Sequence, residues 1–478
     1  MQLRCAGKFA SSSFGHLLLK PMIDSAIETK YPLAFRKKEA KELGEHLKLR
    51  HSVELIGTKR VGISDFLRFF LYRRGIVQKY IERREFHLFI SVDLNDLVEL
   101  EIFPFWILTF KRVNDAVQTA AVSEKLKRDV NLLFLDSIQK RDTFLTLENL
   151  RQALSKIVKA KIIPTIFLIR FDRIVNVCDS QFFSNLEGLV DSSARKLAYV
   201  FTTFRKIDEI AGEKLSRNFL HVFQNVIYVK PANFRDTKIV FDAFKKRYKI
   251  SPKNKLEKKL IDVSGGHIQY LHLAIIILEA EMKKKKIDEG EILGAISKDE
   301  RINLQSEEIW ESLKIGEQKV LLKVHKGEKI SSSEQKEAQY LWEAGLVYNK
   351  QGPSLLRNLR LRTKQRRSLF KSRDDDVLGI FSPLFESFLE KEIGRKEQGN
   401  GVDLTKKEKT LYEFLHQNLE KVCEREKIIE AVWPESEELG VSDWTIDRLV
   451  ARLREKLKNQ KSKYQIVTVK TRGFKLIP

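Results

Sequence analysis

Hydrophobic positions follow one pattern in the first half of the chain and another in the second. Between residues 51 and about 230, short apolar runs rich in β-branched and aromatic residues alternate with segments of helical periodicity. The runs are VELI at 53, HLFISVD at 87, TIFLIR at 165, LAYVFTT at 197 and VIYV at 226. Runs that are apolar throughout are typical of strands covered on both faces, and their alternation with helices predicts a parallel sheet. The first domain is therefore predicted to be α/β.

After Pro231 the strand pattern gives way to helical periodicity with many lysines. Residues 308–350 predict two or three helices followed by a turn and a strand, the order of a small winged-helix unit that closes near 381–393. The polar segment GRKEQGNG at 394–401 is predicted to be a linker. No repeat of fixed period is visible in the sequence, which argues against a solenoid.

The last segment predicts three helices and a hairpin. DLTKKEKTLYEFLHQNL supplies the first helix, and EREKIIEAVWPE supplies a second that ends at Pro434. VSDWTIDRLVARLREKLKNQ supplies a third, with Ser442 or Asp443 as its N-cap. YQIVTVKTRGFKLIP has the pattern of a hairpin. Three helices and a hairpin make a winged helix.

The third of these helices has an apolar face and a basic face. Its apolar stripe recurs at helical spacing and consists of Ile446, Val450, Leu453 and Leu457. Thr445, Arg448 and Arg452 lie away from this stripe, and basic residues greatly outnumber acidic ones from Gly440 onwards. Such a face suits a major groove and its flanking phosphates. The alternative is a winged helix used only for protein contacts.

Residues 402–478 resemble the OmpR/PhoB-type winged-helix DNA-binding domain. The matching stretches are LTKKEKTLYEFL, AVWPE, SDWTIDRLVARLREKL and IVTVKTRGFKL, in the family's order. The resemblance implies that the third helix reads bases and phosphates and that the wing reaches the minor groove. The DNA-binding residues that it implies are Trp444, Thr445, Arg448, Arg452, Lys456, Lys470 and Arg472. Trp444 and Leu449 replace usual polar residues and Thr471 replaces a wing glycine, so the base preference is not carried over.

Charge favours a polyanionic partner for the whole chain. The 478 residues include 88 Lys and Arg against 65 Asp and Glu, a formal net charge of +23. Double-stranded DNA satisfies this balance, and so would an anionic lipid surface. The basic stretch at 357–373 is either a further set of phosphate contacts or a solvated loop.

The apolar stretches and the cysteines indicate in which cellular compartment the protein is expected. The longest apolar stretch, LHLAIIILEA at 271–280, is far shorter than a bilayer span, so no membrane segment is predicted. Cys5, Cys178 and Cys423 have no metal-ligand spacing and fit reduced thiols. A cytoplasmic protein without a metal site is expected.

The segment GTKRVGIS, residues 57–64, has the glycine spacing of a phosphate-binding loop. Gly57 and Gly62 lie between a predicted strand and a predicted helix, which is the context that such a loop requires. Ser64 keeps the hydroxyl that would bind magnesium, whereas Ile63 stands where these loops carry a lysine. Lys59 and Arg60 lie inside the loop and are candidate phosphate contacts from another direction.

The predicted third strand, TIFLIRFDRI, lacks the Asp-Glu pair that hydrolysis of a nucleotide requires. In one alignment Asp172 is the magnesium carboxylate and Arg173 stands in the glutamate's place. In the other, Asp172 lies beyond the end of the strand and Arg170 replaces the carboxylate pair. Neither alignment restores the pair, so no catalytic residue is assigned.

Residues 31–390 resemble the STAND branch of the AAA+-like ATPases. The stretches that carry the resemblance are YPLAFRKKEAKELGEHLK, FISVDLNDL, YVFTTFR, IYVKPANFRD, VSGGHIQYLHLA, EEIWESLKIGEQKVLL, YLWEAGLV and FSPLFESFL. The resemblance implies a nucleotide-driven switch between closed and open states, with a helical lid and a winged helix that helps to hold the closed form. ADP or ATP with Mg²⁺ is the candidate cofactor. The candidate nucleotide-binding residues are Gly57, Lys59, Arg60, Gly62, Ser64, Asp172 and His267. His267 is either a phosphate sensor or a residue that packs in the lid.

The predicted organisation is a multi-domain chain: an α/β P-loop NTPase-like parallel sheet with a helical lid, followed by two winged-helix domains. Its parts are an N-terminal tail (1–30), the α/β domain (31–232), the lid (233–300), a winged-helix-like domain (301–393), the linker (394–401) and the OmpR/PhoB-type domain (402–478).

The predicted function is sequence-specific transcriptional regulation, with the STAND-like module as a regulatory or scaffolding switch that has lost ATP hydrolysis. The alternatives are a replication or recombination initiator-like AAA+ protein and an active signalling ATPase. Double-stranded DNA is the expected partner, and RNA polymerase and a second copy of the chain are further candidates.

Overall fold

The computed structural model describes most of the chain. The described residues are 26–81, 86–215, 223–283, 289–349, 378–398, 404, 406–434, 443–460, 462–469 and 472–478. They form two compact units, one of residues up to Gly57 with Ile63–Val229 and the other of Thr58–Gly62 with Lys230–Pro478. The basic stretch at 357–373 and residues 399–401 of the predicted linker lie outside the described residues.

The first unit consists of five strands and the helices that connect them. Its strands are β1 (Val53–Ile56), β2 (Phe86–Asp93), β3 (Ile162–Ile169), β4 (Ala198–Thr203) and β5 (Val226–Tyr228). Its described α-helices are α1 (Lys37–Lys48), α2 (Ile63–Tyr72), α3 (Ile102–Thr119), α4 (Glu124–Lys140), α5 (Thr143–Lys159), α6 (Ser180–Ser192) and α7 (Ile207–Ala211).

All five strands form one parallel sheet in the order β2-β3-β4-β1-β5. β1 lies between β4 and β5, with Val53 opposite Val200 and Glu54 opposite Val226. Every residue of β1, β3 and β4 is buried, as expected for strands with helices on both faces. The predicted α/β fold with a parallel sheet is confirmed.

The first unit begins earlier than the sequence predicted. Residues Ile27–Lys30, assigned to the tail, form a 3₁₀ turn. The Glu28 carboxylate in this turn is almost fully buried and lies 2.8 Å from Nη2 of Arg68 in α2. This ion pair explains why the segment before residue 31 belongs to the folded unit.

The second unit is mainly helical. Its first helices are α8 (Phe234–Arg247), α9 (Asn254–Ser264), α10 (Ile268–Lys283), α11 (Glu289–Lys298), α12 (Glu300–Glu311), α13 (Ile315–Lys326), α14 (Ser332–Glu337) and α15 (Gln339–Glu343). β6 (Val347–Asn349) pairs antiparallel with β7 (Leu378–Ile380), and α16 (Pro383–Gln398) follows. Helices followed by a two-stranded ribbon suit the predicted first winged helix, which stays a prediction.

Residues from 404 onwards form three helices and a small antiparallel sheet. The elements are α17 (Lys406–Gln417), β8 (Cys423–Glu424), α18 (Arg425–Val432), α19 (Asp443–Asn459), β9 (Gln465–Val469) and β10 (Gly473–Ile477). β10 lies between β8 and β9. The predicted winged helix is confirmed, and β8 is a strand that the sequence pattern did not indicate.

Two consecutive glycines allow close packing in the second unit. Gly265 and Gly266 have φ angles of +58° and +79°, and the amide of Ala232 donates to the Gly266 carbonyl at 2.8 Å. A Cβ atom on Gly266 would lie 2.0 Å from the Ala232 carbonyl oxygen, and one on Gly265 would lie 2.0 Å from that of Phe381. Only glycine fits both the backbone conformation and the space.

We expect Gly266→Ala to lower the free energy of unfolding by more than about 2 kcal/mol, because it adds left-handed strain to a backbone clash. Gly294→Ala is the matched control, since Gly294 lies in α11 with open space around its Cβ position. The control should be stabilised by roughly 0.5–1 kcal/mol. Urea unfolding of both variants measures the difference, and equal stabilities would contradict the packing described.

Candidate nucleic-acid interface

The core of the C-terminal winged helix holds α19 in place. Buried positions on α19 are Ile446, Leu449, Val450, Leu453 and Leu457. They pack with residues of α17, α18, β9 and β10 in one apolar cluster. The predicted stripe is confirmed, and Leu449, which replaces a usual polar residue of the family, also belongs to this core.

A residue from outside the C-terminal domain joins this cluster. Leu304 of α12 is fully buried within it. Helix α12 therefore packs on the winged helix through an apolar contact as well as through the charged contacts that follow.

Arg448 contacts two carboxylates of α12. Its Nε and Nη2 donate to Oε1 of Glu307 at 3.0 and 2.9 Å. Nη2 also lies 2.6 Å from Oε1 of Glu311. Charge-assisted hydrogen bonds of this length are among the stronger ones in proteins. The sequence predicted that Arg448 would point away from the core, and it does, but towards α12.

Arg452 is enclosed by carboxylates more completely. Its Nη2 donates to Oε1 of Glu300 at 2.7 Å, and Nη1 lies 3.4 Å from Oε2 of Glu307. Nε lies 3.5 Å from Oε1 of Glu408, and the side chain is only 11% exposed. Burial by itself would lower the pKa of Arg452. The charges of Glu307, Glu300 and Glu408 outweigh this effect, so the pKa of Arg452 is raised overall.

Lys456 lies in an ion pair inside the winged helix. Its Nζ donates to Oε2 of Glu408 at 2.7 Å, and Glu408 of α17 is fully buried. This contact ties α19 to α17. The predicted DNA-binding role of Lys456 thus belongs to a side chain that already has a structural partner.

Arg472 lies at the turn of the wing and is exposed. Its amide donates to the Val469 carbonyl at 3.1 Å. Gly473, which follows, has φ +142°, and a Cβ there would meet the Cys423 carbonyl oxygen at 2.0 Å. Lys470 and the side chains of Trp444 and Thr445 lie outside the described residues.

Sequence reasoning missed Arg454, which joins α19 to the wing. Its Nε donates to the Ile466 carbonyl and its Nη2 to Oγ1 of Thr468, both at 2.8 Å. Arginine in the last turns of a helix that precedes a hairpin gives only a weak signal of such a contact.

The carboxylates of α12 were also missed. Glu300, Glu307 and Glu311 are separated by seven and four residues, which places them on one face of a helix. An acidic helix face in a chain of net charge +23 was a usable signal of a basic partner within the chain.

The predicted phosphate loop connects β1 to α2. Gly57 follows β1, and Ile63 is the first residue of α2, with Ser64 half-buried in the first turn. Gly62 has φ +110° and Arg60 has φ +60°. The strand, loop and helix context that the sequence predicted is confirmed.

Both basic residues of the loop face one carboxylate of α12. Nε of Arg60 donates to Oε2 of Glu308 at 3.3 Å, and Nζ of Lys59 lies 3.8 Å from Oε1. The Glu308 side chain is only 7% exposed. The two charges that the sequence analysis assigned to a phosphate therefore share one buried glutamate in this structure.

His267 is fully buried against the loop. Its Nε2 lies 3.0 Å from the Lys59 carbonyl oxygen, which can only accept, so Nε2 carries the proton. Burial lowers the pKa of His267 to about 4. A neutral His267 thus holds the loop backbone, in accord with the interpretation that it packs in the lid. Its role as a phosphate sensor stays a prediction.

Asp172 lies beyond the end of β3. The strand ends at Ile169, and Asp172 belongs to the 3₁₀ turn Phe171–Arg173. Arg170 takes the position directly after the strand and contacts the Asp93 carboxylate through Nη1. The structure therefore favours the second alignment, in which an arginine replaces the carboxylate pair.

The loop keeps two features that suit a nucleotide phosphate, namely its glycines and the Ser64 hydroxyl. It lacks the lysine, and a cation stands at the end of β3 where magnesium would need a carboxylate. These residues do not fit a hydrolytic Mg²⁺–ATP site. Within the described residues there is no cluster of three or more His, Cys, Asp or Glu that could hold a metal ion.

Membrane-spanning helices were searched for in the described part of the chain, and none of its helices is both long and apolar enough to cross a bilayer.

Comparison with known proteins gives one family match. Residues 399–476 match the family described as "Transcriptional regulatory protein, C terminal". No curated protein matches the sequence. The match and the fold together define the class of this segment as an OmpR/PhoB-type C-terminal DNA-binding domain, and a five-stranded parallel sheet precedes it in the chain.

Comparison with solved structures matches this chain to the ORC2 protein of Aeropyrum pernix. The two sequences are 12% identical, the match covers 76% of this chain and 95% of that chain, and the TM-score is 0.43. A Walker-type ATPase of Pyrococcus abyssi is 13% identical, with 74% and 95% covered and a TM-score of 0.43. Cdc6p of Pyrobaculum aerophilum is 16% identical, with 76% and 95% covered and a TM-score of 0.33.

The buried state of His267 predicts a pH dependence of stability. Because its pKa falls from 6.5 to about 4 on folding, the unfolded chain binds a proton at a pH where the folded chain does not. Stability is therefore lost as pH falls from about 6.5 towards 4. His267→Gln keeps a donor near the Nε2 position but cannot be protonated.

We expect the His267→Gln protein to lose about 2 kcal/mol less stability than the wild type between pH 7 and pH 5. Urea unfolding followed by tryptophan fluorescence at both pH values measures this. His272, whose pKa burial also lowers to about 4, is retained in both proteins and cancels in the comparison. The same loss in both proteins would contradict the burial of a neutral His267.

Proposed function

We propose that this protein is a sequence-specific DNA-binding transcriptional regulator that reads DNA with α19 and the β9–β10 wing. The observation that carries the proposal is the match of residues 399–476 to a transcriptional regulatory domain, on a segment whose three helices and small sheet form a winged helix. Arg448 and Arg452 supply guanidinium groups one helical turn apart, and Arg472 supplies a third at the wing.

These three side chains suit two tasks in DNA recognition. A guanidinium can donate two parallel hydrogen bonds to O6 and N7 of guanine in the major groove, which Lys cannot match in geometry. Phosphate contacts, for which Arg472 is well placed at an exposed turn, supply affinity that falls with salt. A single winged helix covers one half-site, so we propose dimers on paired half-sites.

We further propose that the N-terminal α/β unit regulates the DNA-binding domain and does not hydrolyse ATP. Support comes from the isoleucine at position 63, from Arg170 at the end of β3, and from the pairing of Lys59 and Arg60 with Glu308. None of these provides the charge stabilisation that transfer of a γ-phosphate requires.

Selection of bound duplexes from a random DNA pool tests the DNA-binding proposal. The intact protein should enrich one motif. Arg448→Ala should relax the preference at one position of it, because a base contact is worth roughly 1–3 kcal/mol of discrimination. Arg472→Ala should reduce the slope of log affinity against log salt by about 1.

Lys409→Ala is the matched control, because Lys409 is a highly exposed basic residue on α17 that pairs only loosely, at 4.0 Å, with Glu413 of the same helix. It should leave both the motif and the salt slope unchanged. Binding without enrichment of any motif would contradict the proposal and favour non-specific binding of an initiator-like protein.

For the regulatory unit, the pure protein should show no magnesium-dependent ATP turnover above the rate without protein. The reason is the missing lysine and the missing carboxylate pair. A coupled assay for ADP release measures it. Turnover that is abolished by Ser64→Ala or by Asp172→Asn would show that the unit is an active ATPase after all.

A further inference from the structure

We infer that helix α12 acts as an internal substitute for DNA. Its carboxylates pair with Arg448 and Arg452 of the recognition helix α19 and keep DNA from binding there until α12 is released. The inference rests on the proposed function, since it concerns the regulation of the same DNA-reading surface. It assigns to Glu300, Glu307 and Glu311 a role that is distinct from folding.

Glu307 is the centre of the contact. One of its oxygens accepts from Arg448 at 2.9 Å, and the other lies 3.4 Å from Nη1 of Arg452. Glu311 and Glu300 extend the contact on either side, at 2.6 Å from Arg448 and 2.7 Å from Arg452. Three carboxylates on one helix face thus meet two arginines that are one turn apart on the other helix.

An apolar contact also packs α12 against the winged helix that contains α19. Leu304 lies between Glu300 and Glu307 in the sequence and is fully buried in the core cluster of the winged helix. The contact is therefore a packed helix interface with enclosed charges, because Glu307 and Arg452 are 9% and 11% exposed. Isolated surface ion pairs do not have this character.

Stability alone does not account for the enclosed charges. Removing charges from water costs several kcal/mol per ion, and apolar residues of similar size would often serve a permanent interface as well or better. Charged groups that meet charged groups suit a contact that must open in water, since both partners are readily solvated once they separate.

The same guanidinium donors cannot serve α12 and DNA at once. Nε and Nη2 of Arg448, together with Nη1 and Nη2 of Arg452, face carboxylate oxygens. Base edges and phosphates would need these donors in the same fork geometry. The apparent affinity for DNA is then reduced by the fraction of molecules in which α12 is released.

The test uses the full chain and a fluorescently labelled duplex of random sequence. Fluorescence anisotropy gives the affinity at several salt concentrations between about 50 and 200 mM. The released variant is Glu300→Gln with Glu311→Gln, since both side chains are partly exposed and glutamine keeps their size. The control is Glu148→Gln with Glu334→Gln, two partly exposed glutamates paired with Arg151 and Lys323. Both variants change the net charge equally.

We expect the α12 variant to bind about tenfold more tightly than the wild type, with a log–log salt slope steeper by about 2, because Arg448 and Arg452 become phosphate or base contacts. The control should shift the affinity less than about threefold and leave the slope unchanged, because charge without new contacts does not release further counterions. Adding Arg448→Gln to the α12 variant should remove most of the gain. Glu311→Gln alone, at the more exposed end of the contact, should give a smaller gain in the same direction.

Three results would overturn the inference. In the first, the wild type and the α12 variant bind DNA equally tightly, and Arg448→Gln weakens DNA binding by both. The proposed function would then stand, but α12 would not compete with DNA. The second is an equal gain in the α12 variant and the control, which would reduce the effect to net charge. The third is binding that is insensitive to Arg448→Gln in every background, which would overturn the proposed function as well.

Discussion

The carboxylate of Glu307 between the guanidinium groups of Arg448 and Arg452 is the interaction on which the account of the second unit depends. Each of these groups is partly or largely withdrawn from water, so each needs the others. Removing one partner of a buried pair leaves an uncompensated charge, which costs about 3–5 kcal/mol, whereas the intact pair contributes little net stability. An interface of this kind is specific in its geometry without being tightly held.

Neighbouring residues of α12 serve two different regions of the chain. Glu307 contacts Arg448 of α19, and Glu308 contacts Lys59 and Arg60 of the loop after β1. The loop backbone is held in turn by the neutral imidazole of His267, which the Gly265–Gly266 turn brings against the Lys59 carbonyl. The candidate nucleotide loop and the candidate DNA-reading helix, which are far apart in the sequence, thus both contact α12. They do so through two adjacent side chains of that helix.

Much of the fold was predictable from local pattern. The five strands of the first unit are continuous apolar runs, and the apolar spacing on α19 indicated a buried stripe and a basic side, because burial on a helix or strand is periodic. Contacts with distant partners were not predictable from local pattern. Glu28, in the segment assigned to the tail, pairs with Arg68, and Leu449, noted only as a departure from the family's polar residues, belongs to the core.

The candidate binding surface was predicted only in part. Arg448 and Arg452 were expected to point away from the apolar stripe, and they do, but nothing in their own segment shows that carboxylates about 150 residues earlier in the chain would cover them. Glu300, Glu307 and Glu311 were visible as an acidic helix face, yet a charged face is more often simply solvated. Their contacts with Arg448 and Arg452 are visible only in the distances across the unit.

Hydrogen exchange of α12 in the intact protein, with and without a duplex recovered by selection, measures whether DNA and α12 compete for α19. If DNA and α12 compete for α19, the amides of residues 300–311 should exchange faster when DNA is bound, because Leu304 and the three glutamates lose their partners. Specific DNA binding with unchanged protection of α12 would contradict the account, since the recognition helix would then read DNA while α12 stays in place.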